Sequence, residues 1–420
     1  MYKSIIEFFK SRKPDIIVQA PSRINIINPL DAVEGDFWMP SVAINGIENP
    51  LSVFLYLKKT ESPSMVILYR LASNNGKYSI EVEYKQGLSK DIEDIKEGMT
   101  GDLKLIYASI YRFSLTNSNF LNRYESENFE LGLITTIPRQ SGLGGSAAII
   151  ISVLYGLAEY LGLYNNFSCL GETIFPINKD IIAEMATKIE DEDLNVTAGY
   201  SDRYTISRGG LGFCSYYGKL NHARIGMEPL AIYDKIDNTY EISELPIVIC
   251  FSGVFHDSGN VHGKLRELYL QNNTKIIENY KKLAELAWKA RFALMSHDWK
   301  LLGEFFIENT KIMNLIMKDA GFEYGIGLAN NILIDLIKDH KDVYAAKLTG
   351  AGGGGCVFAL VDPQNIGNVL QDWQERLNFL ISSKKHFKAK FPSYPSEIVD
   401  KLKNAQFFRI KIDKTGVKKL

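Results

Sequence analysis

The chain has 420 residues, of which 46% are hydrophobic and 23% are charged, and its formal net charge is -1. This length exceeds one ordinary hydrophobic core, so we expect a globular protein of two domains. Because 48 basic side chains balance 49 acidic ones, no general basic field favours nucleic acid or an anionic membrane, and neither is expected as a partner.

The N-terminus and the cysteines both indicate a cytoplasmic protein. Residues 1–15, MYKSIIEFFKSRKPD, form a short amphipathic segment without the apolar core and cleavage site of a leader, and no window of the chain reaches membrane-spanning length without charge. The four cysteines, Cys169, Cys214, Cys250 and Cys356, lie far apart in apolar surroundings. Buried free thiols in a reducing compartment are therefore expected.

Residues 15–113 predict strands followed by helices. The runs DIIVQAP and INII indicate strands on either side of a Pro-Ser-Arg turn, and a polar loop with Asn28 and Asp31 follows. The runs LSVFLYLKK, MVILYR and KYSIEVEY are rich in β-branched and aromatic residues and are separated by turn residues, which predicts antiparallel strands. Helical periodicity then begins in SKDIEDIKEGMTGDLKLIYASIYRF.

The stretch from Pro138 to Gly162, PRQSGLGGSAAIIISVLYGLAEYLG, joins a glycine-rich turn to an apolar helix, and the run FELGLITTIP before it alternates as a strand does. Free backbone N–H groups and the positive end of the helix dipole meet at such a turn, so the layout favours phosphate binding. The spacing matches neither the P-loop nor the GxGxxG dinucleotide motif. A glycine turn with a serine cap is the alternative.

Carboxylates end the next helical segment, KDIIAEMATKIEDEDL, at Glu190, Asp191, Glu192 and Asp193. A charge run of this kind is usually a solvated helix end. The residues that follow, NVTAGYSDRYTISRGGLGFCSYYG, indicate a glycine-punctuated loop and then an apolar strand.

A second domain is predicted from the strand ELPIVICFSG onward. Helices are expected near residues 275–297, 299–317, 327–340 and 366–380, and QFFRIKI is the last strand. This order suits helices on one face of an antiparallel sheet. GAGGGG at 350–355 contains GxGxxG, but an apolar β-type run follows it, so we interpret it as a loop whose backbone lies against a neighbour.

Three motifs in order, PSRINII, PRQSGLGGSAA and KLTGAGGGGC, resemble the signature motifs of the GHMP small-molecule kinases, which include galactokinases and mevalonate kinases; the similarity spans about Asp15 to Leu360. NPLD at 28–31, PRQSGLGGSA and SGNVHGKLREL resemble glucuronokinase motifs. IEDEDLNVTAGYSDRYTISRGGL resembles a block of the bacterial heptose 7-phosphate kinases. The chain is longer than either type, with extra length around 376–403 that suits a lid, an interface or plain surface.

The resemblance implies a two-domain α+β fold. Residues 1–225 would form the N-terminal ATP-binding domain, similar to domain 2 of ribosomal protein S5, and residues 226–420 a ferredoxin-like C-terminal domain. ATP and substrate would lie in the cleft between them. We expect a monomer or a homodimer.

The resemblance also implies ATP and Mg²⁺ as cofactors and assigns roles to residues. Asp202 matches the catalytic aspartate of the family, and Arg23 matches a cationic residue that would stabilise the transferred phosphoryl group; the alternative for both is an ion pair between them. Ser146 and Glu190 match the magnesium positions. The ATP-binding residues would be Pro138, Ser141, Gly142, Leu143, Gly144, Gly145, Ser146 and Ala147.

Residues for the acceptor are expected on several segments. The candidates are Asn28, Asp31, Arg139, His262, Gly352 and Gly353. A sugar acid would require a carboxylate clamp, for which a bidentate arginine suits best. Arg139, Arg203 and Arg208 are the candidates for that clamp.

The function implied is a kinase of carbohydrate metabolism that transfers the γ-phosphoryl group of ATP to a sugar hydroxyl. D-glucuronate, converted to glucuronate 1-phosphate, is the expected acceptor. The alternatives are a heptose 7-phosphate kinase or another aldose 1-kinase of the family and, from a different class, a catalytically silent sensor of a sugar or nucleotide.

Overall fold

The computed structural model describes residues 1–28, 30, 39–74, 77–165, 177–215, 231–255 and 258–420. The predicted contact residue Asp31, Cys169 and the predicted domain boundary between residues 225 and 226 lie outside these ranges. Cys214, Cys250 and Cys356 are buried free thiols, as expected.

The described helices and strands occur in runs along the chain. The helices are α1 (Tyr2–Ser11), α2 (Ile92–Glu97), α3 (Lys104–Thr116), α4 (Ser118–Ser126), α5 (Gly145–Tyr160), α6 (Lys179–Lys188), α7 (Ser201–Arg208), α8 (Ser258–Leu270), α9 (Thr274–Met295), α10 (Trp299–Asp319), α11 (Leu328–Ile337), α12 (Ile366–Ile381), α13 (Lys384–Lys390) and α14 (Ile398–Leu402). The strands are β1 (Ile16–Asn25), β2 (Met39–Gly46), β3 (Ser52–Lys59), β4 (Met65–Asn74), β5 (Lys77–Gly87), β6 (Phe129–Thr135), β7 (Leu211–Ser215), β8 (Ile232–Lys235), β9 (Ile247–Phe251), β10 (Val343–Leu348), β11 (Cys356–Val361), β12 (Gln406–Ile412) and β13 (Lys418–Lys419). Among these elements, strands β1 to β5 follow one another directly, as do helices α8 to α11.

The described strands form one continuous sheet in the order β10-β11-β9-β12-β2-β1-β3-β6-β4-β5, with β7 and β8 extending from β2 and β13 pairing with β1. Among these strands only β4 and β6 pair in parallel. Strand β12 joins the halves, since it pairs with β9 on one side and with β2 on the other. The predicted α+β class is confirmed.

Strand β1 corrects the prediction of a Pro-Ser-Arg turn, because it runs without interruption from Ile16 to Asn25. It pairs with β3 as far as Pro21 and with β2 from Ser22 onward. Proline has no N–H to donate to a ladder, and Pro21 stands where the strand exchanges one neighbour for the other. Arg23 therefore lies on a buried strand and not in a loop.

Helices cover both faces of the sheet, which corrects the prediction of a single covered face. On β9, Ile247, Ile249 and Phe251 belong to the core that includes α9 and α10, whereas Val248 and Cys250 belong to the core that includes α11 and α12. An apolar run such as IVICF is typical of a strand buried on both sides.

The extra length around 376–403 is part of the second of these cores. Phe387 of α13 and Val399 and Leu402 of α14 are buried in the cluster that contains Trp373 of α12. These helices enlarge the hydrophobic core of the C-terminal half, so packing accounts for this segment.

Among the described helices, none combines the length and the apolar character needed to cross a bilayer.

Candidate active site

The glycine turn before α5 is fastened to strand β1. Ser22 Oγ donates to the Leu143 carbonyl at 2.8 Å, and the Arg23 backbone N–H donates to the same oxygen at 3.2 Å. Arg23 Nη1 also donates to the Gly142 carbonyl at 2.5 Å. Gly144 caps the helix in the left-handed conformation, with φ of 78°. Most of α5 is buried, so its N-terminus is fixed in space at the turn.

The second glycine loop, residues 350–355, lies against this turn. A Cβ atom on Gly350 would stand 3.3 Å from Gly142 Cα, so the two backbones touch. The Asn25 N–H donates to Thr349 Oγ1 at 3.0 Å, and the Gly353 N–H donates to the Ile326 carbonyl at 2.8 Å. The loop therefore supports the turn from the C-terminal half, as the sequence predicted for a bare backbone beside a neighbour.

Asp202 lies in the first turn of α7, where the sequence predicted a loop. Its Oδ2 accepts a hydrogen bond from Arg23 Nη2, so the predicted catalytic pair is in contact. Burial alone would raise the pKa of Asp202, but the charges of Arg23 and Arg203 and a hydrogen bond from Asn25 bring it below its ordinary value. The carboxylate is therefore ionised at neutral pH and is a weak base.

Glu190 lies in a π-helical turn, Ile189–Asp193, that continues α6. Ser146 Oγ donates to Glu190 Oε1 at 2.7 Å, which brings the two predicted magnesium residues together. The other oxygen, Oε2, accepts from Arg203 Nη2. Sequence reasoning weighed Arg203 only as a clamp for substrate and missed this pairing, because no local pattern links positions 190 and 203.

The neighbouring carboxylates are paired too, so the interpretation of a solvated helix end is wrong here. Arg112 Nη2 lies 2.6 Å from Asp193 Oδ1, and Arg266 Nη2 lies 2.9 Å from Asp191 Oδ1. Burial raises the pKa of Asp193, and the hydrogen bonds from Arg112 oppose that rise. Arginines from α3 and α8 thus hold the π-helical turn in place.

The predicted acceptor residues have different surroundings. Asn28 is fully buried with φ of 53°, and neither atom of its amide has a hydrogen-bond partner among the described residues. His262 lies on α8, one helical turn before Arg266. Arg139 is exposed at the start of the glycine turn.

Two of the three clamp candidates have carboxylate partners within the chain. Arg203 pairs with Glu190, and Arg208 Nη1 lies 2.7 Å from Asp180 Oδ1.

Gly352 and Gly353, two further acceptor candidates, have positive φ angles of 98° and 86° in the second glycine loop.

The donor set at the start of α5 suits a magnesium ion. Within the described residues no group of three or more His, Cys, Asp or Glu side chains is placed to hold a metal. The Ser146 hydroxyl and Glu190 Oε1 are hard oxygens 2.7 Å apart at a helix N-terminus. Mg²⁺ commonly takes one or two protein oxygens and completes its shell with phosphate and water, so these two residues fit the ion.

Comparison with known proteins gives a consistent result. The model of the GHMP kinases N-terminal domain matches residues 108–210, and that of the GHMP kinases C-terminal domain matches residues 326–378. The chain is 28% identical to the D-glycero-alpha-D-manno-heptose 7-phosphate kinase of Campylobacter jejuni over 66% of this chain and 73% of the relative. It is 29% identical to glucuronokinase 1 of Arabidopsis thaliana over 64% of this chain and 68% of the relative.

Solved structures share the fold. A Listeria innocua protein, 14% identical, superposes with a TM-score of 0.65 over 96% of this chain and 99% of its own. The Streptococcus pneumoniae phosphomevalonate kinase bound to phosphomevalonate and AMPPNP, 13% identical, gives 0.60 over 95% and 100%. The chain therefore carries matches to the N-terminal and C-terminal domains of the GHMP kinases, is similar in sequence to a heptose 7-phosphate kinase and a glucuronokinase, and brings its three motifs together at one site.

Proposed function

We propose that this chain is an ATP- and Mg²⁺-dependent sugar kinase that phosphorylates the anomeric hydroxyl of D-glucuronate. The observation that carries the proposal is the arrangement around the glycine turn. Arg23, which pairs with Asp202, contacts the turn at the Gly142 carbonyl, and Ser146, which pairs with Glu190, follows at the end of the turn where α5 begins. Phosphates at the turn would thus lie near both pairs.

Phosphoryl transfer requires two oxygens in line and neutralisation of phosphate charge. The backbone N–H groups at the start of α5 would bind the ATP phosphates, and Ser146 and Glu190 would hold Mg²⁺, which neutralises charge on the phosphates. Asp202 would accept a hydrogen bond from the sugar hydroxyl and orient it. Because the pKa of Asp202 is low, proton acceptance would come late, once the hydroxyl has become acidic by bonding to phosphorus.

Arg23 would serve the same step from a position beside Asp202. Its guanidinium touches both the Asp202 carboxylate and the Gly142 carbonyl, and its side chain is 7% exposed. A buried cation held there would stabilise negative charge on the transferred group. The same two contacts also hold the Asp202 carboxylate at a fixed position relative to the glycine turn.

The acceptor assignment rests on the similarity to the glucuronokinases and on the sequence motifs NPLD and SGNVH. Asn28 supports a polar acceptor pocket, because a buried amide that has no partner among the described residues is costly unless a ligand satisfies it. Of the three arginines weighed as a carboxylate clamp, Arg203 and Arg208 already pair with carboxylates, which leaves Arg139 as our candidate.

A heptose 7-phosphate kinase is the second candidate. The match to the Campylobacter jejuni enzyme of that name favours it, since the identity and the aligned share are much the same as for the glucuronokinases. An exposed Arg139 would suit a terminal phosphate as well as a carboxylate.

A coupled ADP-release assay with ATP and Mg²⁺ separates these possibilities. The acceptors are glucuronate, galacturonate, galactose, glucose, mannose, arabinose and a heptose 7-phosphate. We expect strong turnover on glucuronate. Turnover only on a neutral or phosphorylated sugar would retain the kinase and overturn the acceptor, whereas nucleotide binding without turnover on any sugar would support the silent sensor.

A further inference from the structure

Arg203 connects the two carboxylates on which the proposed chemistry depends. Its side chain is 8% exposed, and its Nη2 donates to Glu190 Oε2. Its Nη1 donates to the Gly199 carbonyl at 3.0 Å and lies 3.6 Å from Asp202 Oδ2. The planar guanidinium of Arg203 thus faces two carboxylates at once: that of Glu190, the proposed metal ligand, and that of Asp202, the proposed catalytic residue.

The contacts form a chain that begins and ends on the glycine turn. It runs from the Gly142 carbonyl to Arg23, Asp202 and Arg203, and then to Glu190 and the Ser146 hydroxyl. Two arginines alternate with two carboxylates, so the buried charges balance. Because the first and last members flank the turn, the chain fixes both ends of the turn relative to α7.

The two carboxylate oxygens of Glu190 also have different partners. Arg203 binds Oε2, and Oε1 alone lies beside the Ser146 hydroxyl. A carboxylate held in this way offers one oxygen to an ion at the turn. Without the arginine, a carboxylate this deeply buried would lose its orientation and its compensating charge.

We propose that Arg203 is a positioning residue: it holds Glu190 so that Oε1 faces the place where a nucleotide-bound metal would bind, and it sets the position of Asp202 relative to Glu190. This inference rests on the proposed function and adds to it a residue that acts through its neighbours.

The test uses Arg203→Met and Arg203→Lys, with Arg291→Met as the matched control. Arg291 forms an ion pair with Asp234 at 2.5 Å, and its side chain is 15% exposed, but the pair joins α9 to β8 outside the site. The affinity for Mn²⁺ in the presence of ATP is measured by electron paramagnetic resonance, together with kcat, the KM for ATP and the melting temperature.

Arg203→Met is expected to weaken Mn²⁺ binding by about 10- to 100-fold and to lower kcat by a similar factor, as loss of an outer partner of a metal ligand typically does. Arg203→Lys keeps the positive charge, so the affinity for Mn²⁺ should stay within about threefold of the wild-type value. Its single ammonium cannot contact Glu190 and Asp202 together as the guanidinium does, so kcat should still fall about tenfold. Arg291→Met should leave Mn²⁺ affinity unchanged even if it melts earlier.

Unchanged Mn²⁺ affinity in Arg203→Met at a temperature where it is folded would overturn the inference, as would full kcat in Arg203→Lys. Should Arg203→Met not fold, the kcat of Arg203→Lys decides alone. A wild-type protein that binds Mn²⁺ and ATP but phosphorylates no sugar would contradict the proposed function and leave the metal comparison valid.

Discussion

At the scale of single residues, the site is a set of buried charges that are paired with one another. Asp202 faces two arginines, and their charges outweigh the effect of burial on its pKa. The sequence pointed to Asp202, Arg23, Ser146 and Glu190, because each stands in a recognisable motif. It did not reveal the partner of Glu190, since an ion pair between two helices leaves no local pattern.

In the proposed mechanism the Asp202 carboxylate acts on the acceptor, so replacement of Asp202 by Asn should lower kcat by about 10²- to 10⁴-fold with nearly unchanged ATP affinity. Arg23→Met, which removes one of the two cations that lower the pKa of Asp202, should move the acid limb of the pH profile of kcat/KM to higher pH. In the proposed mechanism activity requires ionised Asp202, so it should be lost as the pH falls through the pKa of that residue. Loss of ATP binding in Asp202→Asn would contradict this role.

Lys347 is a buried charge outside these pairs. It is fully buried on β10, donates to the Leu348 carbonyl at 2.6 Å, and lies over the rings of Phe358 and Phe306. Burial lowers its pKa to about 7. Because the unfolded chain then binds more protons between pH 7 and the ordinary lysine range, this group makes stability rise with pH across that interval.

Lys347→Met should therefore raise the melting temperature most at pH 6, where the native lysine is protonated at a cost, and less at pH 9. Differential scanning calorimetry of both proteins at the two pH values measures the difference. An equal gain at both pH values would show that the lysine does not titrate in the fold as inferred.

At the scale of elements, the site is made where β1, the glycine turn and α7 meet. The sequence predicted α5 and the glycine turn because an apolar helix follows a run of small residues. Helix α7 was missed because YSDRYTISR has weak helix propensity and glycines on both sides. Its stability comes from burial of Tyr204 and Ile206 against the core, which only the tertiary structure supplies.

Gly144→Ala tests whether the turn needs its close approach to β1. A Cβ atom at this position would stand 3.0 Å from Ile206 Cδ1 and 3.2 Å from Arg23 Cγ, at φ of 78°. The left-handed backbone alone costs about 1–2 kcal/mol for a non-glycine residue, and the crowding displaces Arg23, so stability and activity should both fall.

Gly145→Ala is the control for stability. The Cβ atom there would meet no atom nearer than 3.7 Å and the backbone is helical, so the free energy of unfolding should stay the same or rise by about 0.5 kcal/mol. Chemical denaturation of the two variants measures the contrast, and equal stability would mean that the turn tolerates a side chain at both positions.

At the scale of the whole molecule, one sheet runs through both halves of the chain, which the sequence predicted as two separate domains. Strand β12, near the end of the chain, pairs with β2 near its beginning. After it, Val417 N–H donates to the Ile206 carbonyl and Leu420 N–H to the Ile17 carbonyl, at 2.9 Å each. The C-terminal residues thus brace both α7 and β1.

The sequence predicted most of the elements in this architecture but not how they join. Periodicity identified α9, α10, α11 and α12, because each turns an apolar stripe toward a core. Pairing of β12 with β2, across more than 350 residues, depends on long-range contacts that no local pattern encodes. No local pattern predicted that helices cover the second face of the sheet either, although a uniformly apolar strand such as β9 is typical of burial on both faces.

The most direct test of the central claim is phosphorus NMR of a reaction of the purified protein with ATP, Mg²⁺ and D-glucuronate, run beside Asp202→Asn. Wild-type protein should form ADP and a sugar phosphate in equal amounts, with the new phosphorus signal coupled to the anomeric proton, and the variant should form neither at a comparable rate. ADP without a sugar phosphate, or an equally active variant, would contradict the account of an Asp202-dependent sugar kinase.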